Sequence, residues 1–179
     1  SGVYKESKEE DRKAYKEKIK DIPEESLVFI DESGIDDNET VKKAWGEKGK
    51  RVVKKVKGHR TSRLSIVAAL NEKKIKASMI FDGYFTREIM IEYVKKILVP
   101  SLKKNQVVIM DNASFHKSKV IEELIEKAGC KLIYLPTYSP DLNPIEHCWA
   151  IIKNKVRKLL DLGWNLMNAA CEALRKLVS

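Results

Sequence analysis

The chain alternates short apolar runs with amphipathic stretches, and the period of each predicts its element. LVFID (27–31) is an apolar run closing on an acid, which reads as a buried strand with Asp31 at its carboxyl end. RLSIVAAL (63–70) and IKASMIF (75–81), joined by a turn at Asn71–Lys74, read as a β-hairpin that Asp82-Gly83 closes. QVVIMD (106–111) is a second buried run ending in an acid, and KLIYL (131–135) is a further strand. Helical spacing appears over Thr86–Leu102, with apolar residues at 89, 90, 93, 94, 97 and 98. Lys117–Ala128 reads as a helix stopped by Gly129. After Asn143, Ile145, Trp149, Ile152, Val156 and Leu159 recur at steps of four and three and form one apolar face. A last helix spans about 164–178.

The order is therefore β-β-β-α-β-α-β-α-α. Three early strands form a meander, and the later two arrive through helical crossovers, which makes them parallel to the first. The expected fold is α/β, a mixed five-stranded sheet flanked by helices. Residues 3–21 are nearly balanced in charge, carry little apolar surface and read as a solvated helix or a linker. The expected organisation is a linker or helix over 1–22 and one domain over 23–179, interrupted by a basic insertion at 36–62 between the first two strands.

Charge changes this picture locally. The net charge is +9, and between Lys42 and Arg63 ten Lys or Arg face one acid, Glu47. Such a concentration is the footprint of a polyanion contact, and Lys54, Lys55, Lys57 and Arg60 are its central members. A solvated basic loop would look the same in sequence. Hydrophobic residues make up 43% of the 179, enough for a real core, and no apolar run approaches a membrane span. The N-terminus is charged from Lys5 onward and shows no signal peptide. Cys130, Cys148 and Cys171 form no C-x-x-C pair, which argues against zinc and disulfides and fits a reducing, cytoplasmic setting; all three read as buried thiols.

The candidate chemistry lies in acids at strand ends. Parallel neighbours bring Asp31 and Asp111 to the same end of the sheet, where sites on α/β folds form. Glu32 points to the opposite side from Asp31, because side chains alternate along a strand. Glu146 stands in the first turn of the helix after LPTYSPDLNP and reaches the same edge. Three convergent carboxylates repel unless cations neutralise them, and hard divalent ions with oxygen ligands, Mg²⁺ or Mn²⁺, suit them. Two such ions would clamp the attacking and leaving oxygens of a phosphoryl transfer. Each acid also has a plain structural reading. Asp31 suits a strand-end turn and Asp111-Asn112 an Asx-turn. Asn143 as cap, Pro144 at the first helical position and Glu146 three residues after the cap make a capping box.

VFIDESG, VVIMDNASFHKS and YLPTYSPDLNPIEHCWAIIKNKVRK resemble the three catalytic blocks of mariner-superfamily DDE transposases, especially their bacterial insertion-sequence branch. The resemblance covers roughly residues 26–160, and 34 residues separate Asp111 from Glu146, a spacing typical of that superfamily. It implies a ribonuclease-H-like, retroviral-integrase-like fold. It implies Asp31, Asp111 and Glu146 as catalytic metal ligands, with two Mg²⁺ or Mn²⁺ ions. Asn112, His116, Asn143 and Pro144 occupy motif positions without being assigned as ligands.

The implied activity is cut-and-paste DNA transposition: phosphodiester hydrolysis at transposon ends, then strand transfer into a TA target. Its partners are transposon-end and target DNA, with a homodimer in the full-length assembly, at the bacterial nucleoid in the cytoplasm and away from membranes. The rival readings are a ribonuclease-H-like nuclease that cuts without joining and a non-catalytic, transposase-derived DNA-binding module. A full transposase begins with helix-turn-helix modules, for which this chain leaves no room. In mariner-like enzymes an insertion at the place of residues 36–62 resembles a clamp. His59, His116 and His147 are not required by a hard-metal site, and His116 is an expected DNA contact. At 100° per residue Glu146, Ala150, Lys153 and Arg157 share one helical stripe, a candidate phosphate track.

Overall fold

A computed structural model of the chain describes residues 2–37, 62–113 and 117–178, with side chains from residue 8 onward. Residues 38–61 of the expected insertion, including His59, Lys54, Lys55, Lys57 and Arg60, and the expected contact His116 lie outside the described residues, whereas Asp36, its expected first residue, belongs to the first strand.

Five strands form one sheet in the order β3-β2-β1-β4-β5: β1 (Leu27–Asp36), β2 (Arg63–Asn71), β3 (Lys74–Asp82), β4 (Val107–Met110) and β5 (Lys131–Tyr134). The first three make the antiparallel meander, and β4 and β5 join β1 in parallel. The β2–β3 turn is tighter than the expected four residues. Glu72 and Lys73 alone make it, both at positive φ (50° and 63°).

Helices cover both faces, so β2 is buried along nearly its whole length, as a central strand should be. On one face Leu64, Ile66, Ala68 and Leu70 of β2 pack with Ile35 against α5 (Ile145–Asp161) and α6 (Leu166–Val178). The α5 stripe of Ile145, Trp149, Ile152, Val156 and Leu159 is wholly buried there, as its spacing requires. Each such side chain contributes about 1.5–3 kcal/mol on burial, which fixes the rotation of α5 about its axis. The opposite face packs Val28, Ile30, Val108 and Met110 against α2 (Arg87–Tyr93) and α4 (Lys119–Lys127). Helix α2 continues through a π-type turn (Val94–Leu98) into a final turn, α3 (Val99–Ser101).

Three readings of the sequence need correction. Strand β1 does not stop at Asp31 but runs five residues further, because β2 pairs with it antiparallel as far as Asp36. Residues 3–21 are not merely solvated: α1 (Gly2–Ile19) inserts Tyr15, 4% exposed, among Val107, Ile109 and Leu135. Of the three cysteines only Cys130 is buried, while Cys148 is half-buried and Cys171 exposed.

Candidate active site

The site forms where two parallel strands part. β1 and β4 pair at Leu27–Val107, Val28–Val108 and Phe29–Ile109, and the pairing ends there. Continued by two residues, the same register sets Asp31 beside Asp111, which follows the last residue of β4. Asp31 therefore reaches the sheet edge without ending its strand. Odd-numbered β1 residues face α5, and Asp31 is buried there at 5% exposure with Trp149 Nε1–H donating to its Oδ2 at 3.0 Å. Asp111 does form the Asx-turn its sequence suggests: the Ala113 N–H donates to Asp111 Oδ1 at 3.1 Å. That turn orients the carboxylate and is compatible with a ligand role. Asn112 is tied next to it, its Nδ2 donating to Thr137 Oγ1 at 3.2 Å.

Glu32 is the residue that alternation misplaced. Carboxylate oxygens of Asp31, Glu32 and Asp111 all lie within 4.8 Å of one another. Alternation sends the Glu32 Cβ to the other face, but β4 has stopped, so the side of β1 next to Glu32 is open. The sequence signal was the adjacent acids Asp31-Glu32, which a strict two-residue period sets apart.

Glu146 stands outside that trio but lines the same cleft as Asp111, an open space of about 360 Å³. Asn143 caps its helix as expected, buried and with Oδ1 accepting from the Ile145 N–H at 3.3 Å. The reciprocal half of a capping box is already taken: the Asn143 N–H donates to Pro140 O at 3.0 Å, within the 3₁₀ turn Pro140–Leu142. The Glu146 carboxylate is not needed at the cap and faces the cleft. Arg12 of α1 holds this approach in place. It donates to Asp141 Oδ1 at 3.0 Å and Oδ2 at 2.6 Å, and to Ser139 Oγ at 3.1 Å. Nothing in the sequence links residue 12 to residue 141, so this latch was not legible there.

The electrostatics suit a cation. Burial pushes the Asp31 carboxyl up to about 8, helped by Glu32 and then Glu146, against the lowering effect of the Trp149 hydrogen bond. A buried acid in a field of acids is held ionised by a positive charge placed among them. Oxygens sharing one octahedral Mg²⁺, at about 2.0–2.1 Å each, lie about 2.9–4.2 Å apart, and those of the trio lie within 4.8 Å of one another. The all-oxygen donor set fits Mg²⁺ or Mn²⁺. Along α5, Ala150 is exposed and Lys153 and Arg157 are half-buried; Arg157 Nη1 also donates to Asn154 Oδ1 at 2.9 Å. His147 is exposed beside Glu146. None of the described helices is long and apolar enough to cross a membrane.

Residues 26–162 match the family model described as DDE superfamily endonuclease. The chain is 32% identical over 78 residues to the transposable element Tcb2 transposase of Caenorhabditis briggsae, covering 44% of this chain and 29% of that protein. The chain thus spans less than a third of that relative's length. This relative is a nematode protein, so the match supports the superfamily and not its bacterial branch. Among solved structures, the Mos1 strand transfer complex superposes with a TM-score of 0.69 at 16% identity, over 96% of this chain and 57% of that one. The catalytic domain of Mos1 mariner transposase superposes with a TM-score of 0.55 at 15% identity, over 96% and 90%. The fold is accordingly the ribonuclease-H-like one that the sequence blocks implied.

Proposed function

The chain belongs to the DDE superfamily endonucleases, and from that premise we propose that it is the catalytic domain of a mariner-type DNA transposase. It hydrolyses a phosphodiester at a transposon end and joins the freed 3′-hydroxyl to target DNA, at a TA dinucleotide. The observation that carries this reading is the register that sets Asp31 beside Asp111, with Glu146 on the same cleft.

In this reading Asp31, Asp111 and Glu146 hold two divalent cations, Mg²⁺ or Mn²⁺, which when bound supply Lewis acidity and charge neutralisation at the scissile phosphate. Asp31 is anchored by Trp149. Glu146 lies in the first turn of α5, whose apolar face is buried against the sheet. Glu32 is an additional oxygen donor at the same edge. The cleft, an open space of about 360 Å³, is where the phosphodiester backbone would lie in this reading.

DNA is the partner that the charge supports. The net charge of +9 is concentrated in residues 42–63, and Lys54, Lys55, Lys57 and Arg60 are phosphate contacts in this reading, as are His116, Lys153 and Arg157. In this reading the protein works on DNA as a homodimer. A strand-transfer assay on pre-nicked end DNA with Mn²⁺ tests the reading. Joined product that Asp111→Asn abolishes, with folding and DNA affinity retained, supports it. Cleavage without joining points to a nuclease, and neither product to a DNA-binding module. Metal-dependent joining that survives Asp111→Asn would remove the assignment of the site.

A further inference from the structure

Tyr138 is the most conspicuous side chain on the cleft that the metal chemistry leaves without a role. It is 75% exposed, and it lines the same cleft as Asp111 and Glu146. Its backbone stands at φ 54°, in the left-handed region. A bulky side chain is unfavourable there, and a turn at such a position is ordinarily served by glycine or asparagine. The fold therefore keeps an aromatic ring in a strained turn and gains little burial from it.

The residues on either side explain how the ring is held outward. The Thr137 hydroxyl accepts from Asn112 Nδ2 at 3.2 Å, and the Thr137 carbonyl accepts from Ser139 Oγ at 3.3 Å. Ser139 is 4% exposed and its Oγ also accepts from Arg12 Nη1 at 3.1 Å. With both flanks pinned, Tyr138 projects from the turn into the cleft opening. Asn112, which pins one flank, adjoins Asp111. The turn that carries the ring is thus tied to the neighbour of one of the acids.

We infer that Tyr138 is a stacking platform for an unpaired nucleobase next to the scissile phosphate. The inference rests on the DNA-cutting reading above. A phosphate at Asp111 and Glu146 brings its own nucleotide to the cleft rim where the ring stands. In an intact duplex both faces of each base are covered by neighbours, so an outlying aromatic ring can stack only on a base that has left the helix or lies in a single strand. Stacking on tyrosine is tolerant of base identity, so the platform positions the strand and does not read its sequence.

The test uses the whole chain and a synthetic duplex with a single-stranded 3′ overhang carrying 2-aminopurine at its first unpaired position, titrated in Ca²⁺. The parent, Tyr138→Phe and Tyr138→Trp should all quench the probe. Tyr138→Asn suits the left-handed backbone and should melt at or above the parent temperature. It should give no quenching, bind the overhang DNA about tenfold more weakly, and bind a fully paired duplex as the parent does. No quenching by the parent, or equal quenching and affinity in Tyr138→Asn, overturns the inference. Cleavage of the same DNA in Mn²⁺ separates it from the reading it rests on. A parent that quenches but never cuts sinks the endonuclease reading alone. A parent that cuts in an Asp111-dependent way, with Tyr138→Asn quenching and cutting equally well, sinks the platform alone.

Discussion

Trp149 and Asp31, 118 residues apart, are joined by an indole N–H donating to a buried carboxylate at 3.0 Å. Trp149 lies three residues after Glu146 on α5, so one helix turn both presents one acid of the site and orients another. The same tryptophan is part of the apolar stripe that docks α5 on the sheet. Packing and site geometry are therefore set by one side chain.

Trp149→Phe keeps most of the apolar volume and removes the donor. The loss of a buried hydrogen bond to a charged group should cost about 1.5–3 kcal/mol of stability when Asp31 is ionised. Because that bond holds the Asp31 carboxyl down, its loss should move the pH midpoint of Mn²⁺ binding upward. Calorimetric titrations at several pH values would show it, and an unchanged midpoint would mean that the indole only packs.

The raised Asp31 carboxyl has a definite linkage sign. Its folded value of about 8 lies above the ordinary 3.8, so the folded protein binds the proton more tightly than the unfolded chain. The stability from that proton is fully present below about pH 4 and is lost as pH rises through about 8. Metal-free protein should melt at progressively lower temperature over this window. Mg²⁺ should offset the loss increasingly toward high pH, and Asp31→Asn should flatten the metal-free dependence. A metal-free melting temperature that rises steadily over the window would contradict the buried-acid account.

The bidentate Arg12–Asp141 pair ties α1 to the turn that leads into Glu146. Arg12→Ala should speed amide exchange over residues 137–143 and slow the chemical step several-fold, while the fold of the sheet stays intact. Reversing the pair, Arg12→Asp with Asp141→Arg, should recover part of the rate. No recovery, together with unchanged exchange, would reduce the pair to a surface contact.

Lys153 and Arg157 continue the stripe that begins at Glu146. Replacing both with alanine should weaken DNA binding about equally for all sequences. It should lower the log–log salt slope by about 0.9 for each duplex phosphate that is no longer neutralised. Filter binding across a salt series would detect it. An unchanged slope and unchanged joining would mean that these cations only solvate the helix edge.

Sequence periodicity by itself determined the five strands and the buried face of α5, because these follow from which residues must leave water, and the order of strands and crossover helices determined which strands run parallel. The motif blocks by themselves pointed to Asp31, Asp111 and Glu146. Only the tertiary structure decided how β1 ends and what stands next to what. Asp31 looked like a strand terminus because the apolar run stops there, yet antiparallel pairing with β2 carries the strand on to Asp36. Glu32 joined the acids because β4 stops short and opens an edge, a fact about a strand far away in sequence. Whether Glu146 returned to its cap depended on the Pro140 carbonyl taking the Asn143 N–H first. Tyr15 and Arg12 turned a weakly apolar segment into a docked helix by meeting partners from residues 107–141. Burial demand is written locally along the chain, whereas the partner of each polar group is chosen only when distant segments arrive beside it.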